Sequence, residues 1–464
     1  MEGKTALVLA ILLLLGIQFY TITSSNTPAT TETVLNETSR NVPGDLPWYP
    51  IVIFGDNRPE VEVSNGFTPV FLKILNQTEV MDPFAMIGTG DQIGRGTPWQ
   101  FKALYSLLSN TSIWNIWLCI GNHDIQYGGA IGYWTSLIAP KHYNMDTFPG
   151  WRIAVLDGET GDATYWKSQL DNTTKNLDDR SLILVYHRPV IPNVGHNMDA
   201  TRASILLSFL QQHPGLVKLV LQGHWHGYAV TRSYNVTWII TGGAGAPLYE
   251  NRGPPPGNNT LIITGKNHYL LLILYPNGTF KYTTVLVNNE SNIGIEKHTK
   301  VTLENGKTVI TGTVSNTLVN IEGKPISVPV RFNLINNENS YIVLMANPNS
   351  TTSFTYEQSL TSVSVKTAST SWYAYITLPG NKAVLLDQNN PSYVIESEKS
   401  TSSTLVVTEE TVTNARTTGN TSLSSTSSAP NPAAYKDKDG MIIGSVAVAI
   451  LLVIAIYLMA KLYR

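Results

Sequence analysis

The sequence predicts an α/β layered fold in its first half, then a small all-β domain, then a helix able to span a membrane. Three observations predict it. From residue 51 to residue 275, short β-rich apolar runs alternate with segments spaced for helices. From 300 to 395 the helical segments vanish, and Val, Ile, Thr and Tyr alternate between Asn-Gly, Pro-Asn and Pro-Gly breaks. Residues 441–460 then form an apolar run without a charge, and about 20 such residues suffice for one bilayer crossing.

At 464 residues the chain is too long for one ordinary domain. It is 42% hydrophobic and only 14% charged, against roughly 25% charged in a typical soluble domain, so apolar material for a core is ample. The formal net charge of −2 and the lack of a strongly basic stretch argue against nucleic-acid binding through a basic patch. The single cysteine, Cys119, excludes an intrachain disulfide and reads as a buried core residue within the apolar run 116–120.

In chain order, residues 1–22 hold an apolar run, 5–20, behind Lys4, which reads as a signal peptide or an uncleaved anchor. Residues 23–46 are a polar, flexible lead-in. The α/β unit follows over 47–291, with strands predicted at 51–54, 85–88, 116–120, 152–156, 182–186, 216–221, 237–241 and 269–275. Its predicted helices are 69–75, 98–108, 163–177 and 200–211. A β-sandwich-like domain is expected over 292–398, with alternation clearest at 328–334 and 372–378. Residues 399–438 are dominated by Ser and Thr and read as an extended stalk. Residues 439–464 supply the transmembrane helix and a short tail with Lys461 and Arg464, which suits a cytoplasmic end. Asn-x-Ser/Thr sites at Asn36, Asn76, Asn110, Asn172, Asn235, Asn258, Asn277, Asn289, Asn349 and Asn420 fit a glycosylated ectodomain held at the cell membrane by that C-terminal helix.

The chemistry is carried by five segments, each at the end of a predicted strand. They are Gly55-Asp56-Asn57-Arg58, Gly90-Asp91 with Arg95 close behind, Gly121-Asn122-His123-Asp124, the lone His187, and Gly223-His224-Trp225-His226. Asp, Asn and His are oxygen and nitrogen ligands suited to divalent Zn, Mn or Fe. At the carboxyl ends of neighbouring strands they would converge on one rim of the sheet. An aspartate bridging two cations sets them roughly 3.5–4 Å apart, a spacing that clamps a phosphoryl group and generates hydroxide near neutral pH. Any one segment alone would more often be a turn, a helix cap or a structural histidine. Five in order make chance a poor explanation.

This set resembles the calcineurin-like metallophosphoesterase superfamily, over about residues 47–286, and Gly242-Gly243-Ala244-Gly245 after a later strand adds to the likeness. The resemblance implies a four-layer α/β-β/α sandwich with two divalent metal ions (Mn, Fe or Zn) and a phosphate-ester substrate. By matched position, Asp56 and His226 would bind the first metal and Asp91 would bridge both. Asn122, His187 and His224 would hold the second. His123, paired with Asp124, would protonate the leaving oxygen or stabilise the transition state. Arg95 falls where some family phosphatases contact the substrate phosphate, with a surface ion pair as the even alternative. Gly94 stands where the purple acid phosphatase branch would want a tyrosine.

One position departs from the family pattern. Arg58 stands where a histidine usually serves the first metal, and a guanidinium cannot ligate. It would instead contact substrate phosphate or hold a neighbouring carboxylate. His196, in the loop after His187, is a candidate substrate contact, while His142 and His268 read as surface or structural. The expected activity is metal-dependent hydrolysis of a phosphomonoester or phosphodiester at the cell surface. The alternative is a non-catalytic glycosylated surface protein that retains the fold.

Overall fold

The computed structural model describes Leu35 and residues 40–249, 260–335 and 337–396. The chain divides into two units, Met1–Glu398 and Lys399–Arg464, the second lying wholly outside the described residues. The predicted leader 5–20, stalk and membrane-spanning run 441–460 also lie outside them. Among the described residues no helix is long and apolar enough to cross a membrane.

The first part of the chain forms two sheets. Strands β1 (Tyr49–Phe54), β2 (Ala85–Gly88) and β3 (Ile116–Leu118) precede β4 (Tyr143–Met145), β5 (Trp151–Val155), β6 (Ser181–Val185) and β7 (Val217–Gln222). Then come β8 (Tyr228–Ser233), β9 (Val236–Thr241), β10 (Thr260–Thr264), β11 (His268–Leu274) and β12 (Phe280–Leu286). One sheet runs β12-β11-β1-β2-β3 and the other β10-β8-β9-β7-β6-β5-β4. Within them β1-β2-β3 and β5-β6-β7-β9 are parallel.

Both faces of the central strands are buried, which is why they read as near-continuous apolar runs. Along β1, Val52 and Phe54 join the core beneath helices α1 (Pro69–Met81) and α2 (Pro98–Ser109), while Ile51 and Ile53 join the core between the sheets. β11 alternates in the same way, with Leu271 on one side and Leu270 and Leu272 on the other. Helices α3 (Ala163–Thr173) and α4 (Ala200–Gln212) bury Trp166, Leu170 and Leu206 against the second sheet. The fold is therefore a mixed α/β arrangement with additional all-β sheets. Cys119 is fully buried, as expected.

The helix starts follow from their caps. The Thr68 hydroxyl accepts from Phe71 N and Asp162 from Tyr165 N, and Pro69 and Pro98 open their helices where a missing N–H costs nothing. Helix α1 runs past the predicted end at 75 to Met81, its second half burying Gln77, Thr78 and Met81, a polar-rich face with weak apolar spacing.

The later residues form sheets of five and four strands. The first has strands Ile293–Thr302, Thr308–Asn316, Ser350–Gln358, Ser362–Thr367 and Ser392–Val394, the second Val328–Ile335, Asn337–Ala346, Trp372–Thr377 and Ala383–Asp387. Phe332 and Phe354 meet across them with ring centroids 5.0 Å apart. The outer face of the four-stranded sheet lies on the α/β part. Arg331, its side chain fully buried, pairs with Asp82 at 2.5 Å, and its guanidinium carbon sits 3.8 Å from the Trp114 ring centre, with Phe84 and Tyr341 also in reach. Removing one member of a buried pair costs about 3–5 kcal/mol. Arg331→Ala should therefore lower the unfolding free energy by about that much, and a chemical-denaturation comparison measures it. A change under about 1 kcal/mol would mean the pair is an exposed-type bridge in effect.

Candidate metal centre

The parallel strands point their carboxyl ends at one rim, and every predicted segment lies there. β1 leads into Asp56, β2 into Asp91, β3 into Asn122 and His123, β6 into His187 and β7 into His224 and His226. The loops are tied directly to one another. Asp56 N donates to Gly90 O (3.0 Å), Arg58 N to Asp91 O (3.2 Å), Gly223 N to His187 O (2.9 Å) and Ala246 N to Asp56 O (2.8 Å). Asp56, Asp91 and His224 all hold positive φ, at 56°, 53° and 66°, a left-handed conformation most side chains avoid. Gly121 lets the loops close: a Cβ there would come within 2.2 Å of the Asp91 carboxylate.

Two ligand groups result. Asp91, His187 and His224 form one, and Asp56, Asp91 and His226 the other, with the ligand atoms of each group all within 4.8 Å of one another. Asp91 belongs to both. His187 donates from Nδ1 to the Thr89 carbonyl at 2.9 Å, which leaves Nε2 facing Asn122 Oδ1 (3.2 Å), Asp91 Oδ1 (3.3 Å) and His224 Nδ1 (3.1 Å). His226 donates from Nδ1 to the Pro247 carbonyl at 2.6 Å and turns Nε2 toward Asp56 Oδ1 at 3.5 Å. Asn122 Oδ1 thus lies beside the first-named group.

Electrostatics mark the same place. Burial pushes the Asp56 carboxyl up to about 7, with His187 opposing and Asp91 adding to the rise. Burial also resists charge on Asp91, but His187 and His123 hold it below the usual carboxylate range. Burial disfavours charge on His187 too, yet Asp91 and Asp56 raise it to about 10. Burial, then His187 and Arg188, lowers His224 to about 2, and burial lowers His226 to about 4. Among the described residues, His187, His123 and Arg58 stand against the buried Asp91 carboxylate. Divalent cations are what such a donor set takes.

The substrate-side residues divide. Arg58 is buried, with its Nε 3.8 Å from Asp91 Oδ2 and no hydrogen-bond partner on that nitrogen. Arg95 is exposed and donates from Nε to Glu62 Oε2 at 3.3 Å. His196 is exposed and stacks on Tyr249 at 5.2 Å, and Tyr249 stacks in turn on His226 at 4.5 Å. Trp225 is buried against Val194, Ala229 and Ile240, so it packs rather than faces the rim. His142 contacts Tyr165, and His268 is buried between Lys266 O and Thr241, both away from the ligand groups.

The expected pairing of His123 with Asp124 is corrected. Asp124 Oδ1 accepts from Gln92 N (2.9 Å) and Ile93 N (3.1 Å), and its Oδ2 accepts from Gly121 N (2.8 Å). Its carboxylate is spent on the loops, because a fully buried side chain beside three unpaired amides satisfies them first. His123 is held instead by Gly94 O on Nδ1 at 2.9 Å, with Glu62 Oε1 at 3.6 Å, and its Nε2 lies 3.9 Å from Asp91 Oδ2. Sequence reasoning placed Tyr249 in a loop near the cleft without a role, and it missed Glu62 and the pair Arg188–Glu159. Arg188 Nε donates to Glu159 Oε2 at 3.0 Å, and its Nη1 reaches His224 Nε2 at 3.0 Å. Two signals were present: Arg188 directly follows His187, and Glu159 stands just past the end of β5. While Arg188 donates to Nε2, the neutral His224 ring carries its proton on Nδ1, so ligation through Nδ1 requires Arg188 to keep only Glu159.

Asp124→Ala should strip three buried amides of their acceptor, at about 1–3 kcal/mol each, and lower the melting temperature sharply. His123→Ala should leave the melting temperature nearly unchanged. Equal thermal effects of the two substitutions would restore the paired arrangement.

A model of the family described as calcineurin-like phosphoesterase matches residues 49–228. No curated protein matches the chain. Among solved structures, GAP50, described as the anchor in the inner membrane complex of Plasmodium, is 14% identical with a TM-score of 0.40, over 52% of this chain and 85% of its own. A purple acid phosphatase from yellow lupin (Lupinus luteus) seeds is 17% identical with a TM-score of 0.42, over 53% of this chain and 52% of its own. A dimetal phosphatase from Danio rerio is 12% identical with a TM-score of 0.35, over 57% of this chain and 95% of its own. The matched stretch holds every ligand on the rim, and residues 49–228 are a calcineurin-like phosphoesterase domain.

Proposed function

We propose that this chain hydrolyses phosphate esters with divalent metal ions held at the rim, and that it does so as a membrane-anchored enzyme outside the cell. The observation that carries the activity is the convergence of two ligand groups on the shared, buried Asp91. The residues fit cations on a further count: Asp91 Oδ2 is buried with no hydrogen-bond partner. Asp91, Asn122, His187 and His224 would hold one position, Asp56, Asp91 and His226 the other. Divalent ions bound there supply Lewis acidity, which polarises a phosphoryl group and acidifies water.

The chain's own residues do the rest. The Thr89 and Pro247 carbonyls orient the His187 and His226 rings so that the free nitrogen of each points into the ligand cluster. His123 is fixed by Gly94 O with Nε2 toward Asp91, which orients the ring to pass a proton to a leaving oxygen. Arg58 lies deep at the rim, where its fork can meet phosphate oxygens, while Arg95 reaches substrate only by leaving Glu62. His196 and Tyr249 form an aromatic wall beside His226, suited to a substrate group flanking the phosphate.

The extracellular placement rests on the two apolar runs and the glycosylation sites. Of the seven site asparagines among the described residues, six are exposed (Asn76, Asn110, Asn235, Asn277, Asn289 and Asn349) and Asn172 is half-buried. One observation favours the second reading, a non-catalytic surface protein that keeps the fold: Arg58 in the place of a ligand.

Full-length protein assayed with p-nitrophenyl phosphate and bis(p-nitrophenyl) phosphate separates the two readings. Turnover should require Mn²⁺ or another divalent ion, vanish with chelator and fall by more than about 100-fold in Asp91→Asn. Folded protein that stays inactive with every divalent ion would favour the non-catalytic reading. Placement is checked by fractionation: the full chain should pellet with membranes and a chain ending at residue 438 should not.

A further inference from the structure

We infer that Arg58 takes the place of one of the two metal ions, so that the chain binds a single divalent ion at Asp91, Asn122, His187 and His224. The inference rests on the metal-dependent reading above and narrows its two ligand positions to one that holds an ion, with Arg58 supplying the charge at the other.

The two oxygens of Asp91 face different neighbours. Oδ1 accepts from His123 N at 2.9 Å and lies 3.3 Å from His187 Nε2, so it serves the group that also holds Asn122 and His224. Oδ2 faces Arg58 Nε at 3.8 Å and His123 Nε2 at 3.9 Å, and it has no hydrogen-bond partner. The oxygen left for the other group is therefore already opposite a guanidinium. That guanidinium is enclosed, its side chain only 10% exposed and its Nη1 donating to Pro59 O at 3.4 Å. Its charge also bears on Asp56 and His226, the remaining two members of that group.

Arginine stays protonated, so its charge is permanent. A divalent ion among Asp56, Asp91 and His226 would sit against it in a buried site, where like charges repel most strongly. The complete group has four protein ligands with Asn122, the other only three.

The test counts ions on the full-length chain. Protein stripped with chelator is dialysed against Mn²⁺, its bound metal measured by elemental analysis, and its spectrum recorded by electron paramagnetic resonance. Wild type should hold one Mn²⁺ per chain with the hyperfine pattern of an isolated ion. Arg58→His, which removes the permanent charge and adds a ligand, should hold two with an exchange-coupled spectrum. Arg58→Lys should keep one. Arg58→Gln, a safer variant should the histidine form fold poorly, should take a second ion at least about 10-fold more tightly than wild type. Two ions of comparable affinity in wild type, or a second ion no tighter in Arg58→Gln, would overturn the inference while leaving a metal-dependent phosphoesterase. Folded wild type that binds no ion would remove both readings together.

Discussion

Asp56 and Asp91 leave the ends of neighbouring parallel strands and bury their carboxylates side by side, where each negative charge must be met within a few ångströms. The rim is arranged around that requirement. His224 N donates to both oxygens of Asp56, His123 N donates to Asp91, and His187 and Arg58 stand against Asp91 from opposite sides. The left-handed conformations of Asp56, Asp91 and His224 are the backbone's share of the cost. They persist because amide-to-carbonyl bonds between loops leave each loop no other path.

Much of this was legible in the sequence, for a physical reason. Strands buried on both faces must be apolar at every position, so 85–88 and 182–185 announce themselves, and the glycine-flanked polar residues at their ends stand out by contrast. The strands that escaped notice, Tyr143–Met145, Tyr228–Ser233, Thr260–Thr264 and Phe280–Leu286, lie at or beside sheet edges. There Asn, Thr, Lys and Arg interrupt the apolar pattern. The helix expected over 163–177 ends at Thr173, where Asn, Thr and Lys follow with no apolar spacing to extend it.

What stayed hidden was the second layer of contacts. Nothing in Gly-Asn-His-Asp says whether the aspartate turns to its neighbouring imidazole or to amides some thirty residues back, since that depends on how tightly two loops close. Glu159 and Arg188 meet only because β5 and β6 end level with one another. Tyr249 reaches His226 from a loop with no motif of its own. Ligand identity is written locally, whereas the orientation of each ligand is a property of the assembled rim.

The buried Arg331 has a bearing on ancestry. Its guanidinium is enclosed by Trp114, Phe84 and Tyr341 and neutralised by Asp82, and Tyr373 adds a hydrogen bond to Trp48 O from the same sheet. A gene that lost the later strands would uncover these rings and take Arg331 away from Asp82. The α/β half and its all-β sheets are thus not freely exchangeable cassettes. Recombination at the seam would have to bring in a replacement cover bearing a cation at the same spot, so the two halves are constrained to be inherited together.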